Sequence, residues 1–359
     1  MAQQLANHSL RPGKYVTSLL ALALLLTAVV VSGPPAFAHP AHASHATSAA
    51  RASRALDFSN AIFLWTTTAA NVSGDSTIIN NSVINGDPNA VLIVSHNLAP
   101  QGTPCECLYN NRPIGVWYNT GNAKWEIFNE DLSAMAVGLN FNVAAWSAPF
   151  TDITNERLAY TDVAGTSSGS SSTDISTIMT NNNPNANVIV TPIWNPASSG
   201  TTVINDHPVG VWYHSVGGTG HWAIFNEDEA VMPTNAAFNV YVSDINGGSG
   251  WPATVLVTTS SNTLSNYTIM STWLAMYPGL LWITPDYDPG ACTNASYCNV
   301  TYTACSGQPF CDVIFDHNVG AWYDGYDSSS GWVGDLSVFT EDDSQMPVNV
   351  AFNVLEVTA

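Results

Sequence analysis

From Ile62 onward the chain is built of short apolar runs broken by Pro, Gly, Asn and Ser. Ile62–Thr67, Val91–Val94, Ile114–Tyr118, Trp125–Phe128 and Phe141–Val143 are rich in β-branched and aromatic residues and too short for a helical stripe, so they read as strands. Ile114–Tyr118 and Trp125–Phe128 flank Asn119-Thr120-Gly121-Asn122, the composition of a hairpin turn. Farther on, Ser215-Val216-Gly217-Gly218-Thr219-Gly220 repeats the hairpin signal. Arg157–Asp162 and Thr254–Thr258 repeat the leading strand, and Phe238–Val242 the closing one. Ser76 and Asp174 are good N-caps, so a short helix is expected after each. The pattern predicts an all-β protein of small sandwich or barrel-like units with five or six strands each.

These runs are copies of one another. Asn111-Arg112-Pro113-Ile114-Gly115-Val116-Trp117-Tyr118 returns as Asp206-His207-Pro208-Val209-Gly210-Val211-Trp212-Tyr213, and again as His317-Asn318-Val319-Gly320-Ala321-Trp322-Tyr323. Trp125-Glu126-Ile127-Phe128-Asn129-Glu130-Asp131 returns as Trp222-Ala223-Ile224-Phe225-Asn226-Glu227-Asp228, and more loosely as Val338-Phe339-Thr340-Glu341-Asp342. Met135, Met232 and Met346 follow, then Phe-Asn-Val at 141–143, 238–240 and 352–354. Upstream, Pro88-Asn89-Ala90 matches Pro184-Asn185-Ala186, and Thr77-Ile78-Ile79 is aligned with Thr177-Ile178-Met179 and Thr268-Ile269-Met270. Self-similarity at this period means tandem structural units, placed at 57–147, 155–245 and 252–359. The third is longer because of a cysteine-rich insertion.

The motifs P-N-A, P-V-G-V-W-Y, W-A-I-F-N-x-D and F-N-V resemble a tandem-repeat domain of unknown function in uncharacterised secreted bacterial proteins. The second unit fits best. The third departs at Asn318, where the others have Pro, and at Thr340, where they have Asn. The resemblance implies an architecture and carries no activity with it.

Composition narrows the compartment. Only 9% of residues are charged, against about 25% in an average soluble protein, so the surface must consist largely of Asn, Ser, Thr and Gly. The net charge is -20, which excludes nucleic acid as a partner, because phosphate binding needs Lys and Arg. Arg11 and Lys14 precede an apolar run from Val16 to Val31 and then Ala36-Phe37-Ala38. This is the layout of a cleaved secretory signal over 1–38, and no later segment is apolar enough to span a membrane. Residues 39–56, rich in Ala, Ser and His (His39, His42, His45), read as a flexible spacer. In an oxidising compartment Cys105, Cys107, Cys292, Cys298, Cys305 and Cys311 are disulfide candidates. The last four lack zinc-knuckle spacing and allow three pairings.

Candidate chemistry is sparse. Gly165-Thr166-Ser167-Ser168-Gly169 matches the hydrolase nucleophile motif, but lies in a Ser/Gly-rich loop without counterpart in the other units. His207, His214 and His221, evenly spaced, are conceivable metal ligands, though the first unit does without them. The recurring pairs Glu130/Asp131, Glu227/Asp228 and Glu341/Asp342 read as turn residues or as calcium ligands, with Asp286-Tyr287-Asp288 and 324–327 as weaker candidates. Calcium is thus the one candidate cofactor. Trp117, Trp125, Trp212, Trp222 and Trp322 are candidate ligand-binding aromatics, and neighbours on a strand face opposite ways. The expectation is a secreted or cell-surface, non-enzymatic binding or structural protein acting through repeated sites on glycans or cell-surface proteins. A lectin-like array is the sharper alternative, and a secreted hydrolase the weaker one.

Overall fold

A computed structural model describes residues 60–358 except 99–107, 153–155, 166–169, 198–202, 245–252, 271–278, 294, 296, 297, 304 and 325–334. The signal segment, the spacer, Cys105, Cys107 and Ser167 lie outside the described residues. The first repeat holds β1 (Asn60–Thr66), β2 (Val72–Ser73), β3 (Ser76–Ile78), β4 (Val91–Asn97), β5 (Ile114–Asn119), β6 (Lys124–Asn129) and β7 (Asn140–Trp146). After the connecting β8 (Phe150–Asp152), the second holds β9 (Arg157–Val163), β10 (Ser172–Ile175), β11 (Ala186–Trp194), β12 (Val209–Val216), β13 (Thr219–Asn226) and β14 (Ala237–Asp244). The third holds β15 (Ala253–Val257), β16 (Thr263–Leu264), β17 (Tyr267–Ile269), β18 (Gly279–Asp288), β19 (Val319–Asp324), β20 (Asp335–Thr340) and β21 (Ala351–Thr358). The protein is all-β with three tandem units, as the pattern predicts.

Each unit is a small sandwich. One layer is antiparallel β1-β7-β4, with the full register Asn60↔Trp146 to Thr66↔Asn140 on one side. The other is the hairpin β5-β6 extended by β3. Leu92, Phe141, Val143, Trp125 and Ile127 fill the space between. Separate cores of the same make-up, around Phe238 and Trp222 and around Phe352 and Val338, serve the second and third units.

The sheets do not stop at unit boundaries. β5 of the first unit pairs in parallel with β11 of the second, β12 of the second with β18 of the third, and β19 of the third with β4 of the first. Each of the three sheets therefore joins one unit's hairpin layer to its neighbour's other layer, and the cyclic order closes. A fourth core, shared by all three units, includes Ile93, Trp146, Ile189, Tyr241, Trp282 and Leu355. Trp282 Nε1 donates to the carbonyls of Ile93 and Asn142 across this core, at 3.1 and 3.2 Å.

Two expectations are corrected. No helix follows Ser76 or Asp174: Ser76–Ile78 and Ser172–Ile175 are strands. Ser76 Oγ donates to Glu126 on the neighbouring strand at 2.6 Å instead of capping a helix, and Thr77-Ile78 suits a ladder better than a helical turn. The register in the second unit also shifts. Ile175 stands opposite Trp222, just as the Ile79 amide bonds the Trp125 carbonyl in the first. The counterpart of Thr77-Ile78-Ile79 is thus Thr173-Asp174-Ile175, and Thr177-Ile178-Met179 belongs to the turns that follow.

Candidate functional site

The repeated acidic pairs are split in two by the fold. Glu130, Glu227 and Glu341 turn inward and are buried to within 2% of full. Each accepts a hydrogen bond from a backbone amide of the next unit. Glu130 takes it from Asn205 at 3.1 Å, Glu227 from Phe315 at 2.9 Å and Glu341 from Asn110 at 2.9 Å. The three bonds follow the same cyclic order as the sheets. Burial raises the Glu130 carboxyl well above its ordinary value and pushes Glu227 up to about 8. A carboxyl that keeps its proton at neutral pH is a poor calcium ligand.

The aspartates of the pairs stay at the surface and close the turn. Asp131 accepts from the Ser133 amide at 2.9 Å, Asp228 from Ala230 at 3.0 Å and Asp342 from Ser344 at 3.0 Å. Each also meets a base at one repeat position: Arg112 at 2.7 Å, His207 at 2.7 Å and His317 at 2.8 Å. Partial burial works against ionisation at Asp131 and Asp342. The bonds from Ser133 and Ser344, with Arg112 and His317, outweigh it and hold both below the ordinary value.

The glycine of the G-V-W motif follows from the glutamate. A Cβ added at Gly115, Gly210 or Gly320 would lie 2.1, 1.9 or 2.4 Å from Oε1 of Glu130, Glu227 or Glu341. No side chain fits between the strand and the carboxyl. The asparagine of F-N-V serves the same junctions from the other side. Asn142 Nδ2 donates to the Leu281 carbonyl at 2.9 Å, Asn239 to Leu92 at 3.0 Å, and Asn353 Oδ1 accepts from Asn187 at 3.4 Å. One junction is different. His96 stands where the other units have Pro192 and Pro285, and its Nδ1 meets Glu341 Oε1 in a buried pair.

The aromatic candidates also divide. Trp125 and Trp222 are at most 1% exposed, with Nε1 bonded to the carbonyls of Asp87 and Asn183 at 2.9 Å. They tie the loop entering β4 or β11 to the hairpin, and have no surface for a ligand. Trp117, Trp212 and Trp322 lie on the opposite strand face and remain partly exposed. Each sits beside a junction. The Trp117 ring meets Trp194 of the second unit at 5.2 Å and Trp212 meets Tyr287 of the third at 6.2 Å. Trp322 follows Ala321, whose carbonyl accepts from the Leu98 amide of the first unit at 2.9 Å, and its ring meets Tyr267 of its own unit at 4.9 Å.

The metal candidates do not converge. His214 and His221 face each other across the hairpin, but His214 Nε2 bonds Asp174 at 2.8 Å and its ring stacks on Trp212. Among the described residues, the one trio of close ligand atoms is Asp288, Cys305 and Cys311. Cys305 is bonded to Cys311, and Cys292 to Cys298. Asp286 is buried, its carboxyl raised well above the ordinary value by burial and by the neighbouring Asp288 and Glu227. The repeated motifs located the acidic pairs and the glycines; the inward turn of the glutamates against those glycines had no signal beyond their recurrence in every unit.

The fold and these junctions define an all-β protein of three fused repeats, in which the shared glutamates and F-N-V asparagines hold one repeat to the next. The chain belongs to the family described as domain of unknown function DUF7452, which matches it at residues 55–145, 151–242 and 216–308. No curated protein and no solved structure matches it.

Proposed function

We propose that the chain is a secreted or cell-surface, non-enzymatic binding protein whose ligands are carbohydrates, held on the aromatic rings at the outer edges of its three junctions. The observation carrying this reading is the different fate of equivalent residues. The repeated glutamates and asparagines are used up in closing the ring, and the inner tryptophans in the core of their own unit. Trp117, Trp212 and Trp322 recur in every unit and still show surface. Aromatic faces beside polar groups suit the apolar faces of sugars, and three copies on one body raise effective concentration for a polymeric ligand. The disulfides fit an oxidising compartment. The acidic surface argues against anionic partners.

The test is a pull-down of the mature chain with insoluble polysaccharides and cell walls, with calcium or with chelator. Retention on at least one polysaccharide, unchanged by chelator and lost when Trp117, Trp212 and Trp322 are all replaced by Ala, is the expected result. Retention on none would sink the carbohydrate reading. Retention abolished by chelator would return calcium to the site.

A further inference from the structure

The three junctions are not equal. Between the second and third units lies a surface recess of about 200 Å³, lined by Ser171, Ser172, Trp212, Phe225, Glu229 and Tyr287, with Ile314 at its side. The side chains at the corresponding positions elsewhere differ. At the first junction the larger Trp194 stands at the position of Tyr287 and packs edge-on against Trp117 at 5.2 Å. At the third, Tyr109 lies against Phe339, the counterpart of Phe225, at 5.5 Å. Tyr287 and Ile314 are thus peculiar to this junction, while Trp212 and Phe225 recur in all three units.

We propose that this recess is the primary carbohydrate site and takes one neutral pyranose ring. The proposal rests on the carbohydrate reading above and names the site within it. The volume is below the roughly 300–1,000 Å³ of pockets for drug-sized ligands, and fits a single sugar ring. The lining supplies what such a ring needs. Trp212, Phe225 and Tyr287 form an aromatic wall, with Tyr287 edge-on to both Trp212 and Phe225 at 6.2 and 5.5 Å. His214 stacks on Trp212 at 4.2 Å and fixes the indole plane. Ser171 and Ser172 bring hydroxyls, and Glu229, on an exposed turn, brings an acceptor for sugar hydroxyls. The Tyr287 hydroxyl interacts with Asp312, and burial together with Asp312 and Asp288 raises its pKa. Glu229, Asp288 and Asp312 make the surroundings negative, so uronic and sialic acids are disfavoured.

The test uses the intact mature chain with 15N-labelled tryptophan, whose indole N–H resonances are followed during titration with glucose, galactose, mannose, N-acetylglucosamine and glucuronic acid, and with sorbitol as an acyclic control. Trp212 is assigned through Trp212→Phe. A saturable shift of the Trp212 resonance with at least one neutral pyranose, in the millimolar range, is expected, with Trp125 and Trp222 unmoved. Glu229→Gln, an exposed change that leaves the fold intact, should weaken that binding severalfold. Saturable shifts at Trp117 or Trp322 but not at Trp212 would overturn this assignment and leave the general carbohydrate reading standing. An equal response to sorbitol would overturn the ring preference, and an equal response to glucuronic acid the preference for neutral sugars. No shift of any indole with any sugar would overturn both.

Discussion

At the scale of single residues, the recurring Asn-Glu-Asp shows how one short motif serves two purposes. Successive residues leave the hairpin in different directions, so Asp131 closes its own turn while Glu130 reaches the next unit. The cost of burying the carboxyl appears as a raised proton affinity. Glu227 moves from 4.5 to about 8 because burial disfavours its charge. The folded chain therefore binds the proton more tightly than the unfolded chain does. Stability is fullest below about pH 4.5, falls as the pH rises, and levels off above about 8. Glu130 acts in the same sense. Glu227→Gln keeps an oxygen for the Phe315 amide and removes the titration. Thermal melts should show the native chain losing on the order of 2–3 kcal/mol between about pH 5.5 and 8.5 through this group, and the variant losing less. Identical pH profiles for the two would mean that Glu227 ionises normally inside the junction.

At the scale of elements, strand existence was readable wherever apolar residues alternate or run between turn residues. The hairpin Val209–Val216 with Thr219–Asn226 and the leading strand Arg157–Val163 lie where the pattern puts them. The segments after Ser76 and Asp174 misled because an N-cap side chain is outvoted by the β-branched residues around it, and what decides is the partner strand, which local sequence does not show. The pairings β5-β11, β12-β18 and β19-β4 had no local signal either, since each is a few residues of parallel contact between distant segments. The cysteine-rich insertion between β18 and β19 is the converse case: its cysteines were legible and their pairing was not. The structure links each cysteine to its nearer neighbour, with Cys292 and Cys298 buried beside Tyr302 and Phe310 in the shared core. Closing so short a loop restricts the unfolded chain by about 2 kcal/mol. The double variant Cys292→Ala with Cys298→Ala should lose about that much in denaturant unfolding and keep the strand signal in circular dichroism. An unchanged midpoint would mean that the insertion is held by its apolar contacts alone.

At the scale of the whole molecule, the repeats are interdependent in a way that a string of beads is not. A single unit has its own sandwich core, yet its glutamate, its F-N-V asparagine and the free edges of two strands all need a neighbour. Cut out alone, residues 155–245 would leave β11 without β5 and β12 without β18. Glu227 would be stripped of the Phe315 amide, and Ile189 and Tyr241 of the shared core would face water. Exposed strand edges and apolar patches of this kind recruit other chains. Because the three junctions share one backbone pairing, three copies of one unit can close the same ring, and closure pairs every edge that the cut exposes. The isolated second unit should therefore be unfolded when dilute and trimeric when concentrated, with folding and assembly in one concentration-dependent step. Light scattering coupled to size exclusion, alongside circular dichroism over a dilution series, reads this directly. A folded monomer at every concentration would show that the sandwich core suffices, and that the cyclic bonds of the glutamates orient the units without holding them up.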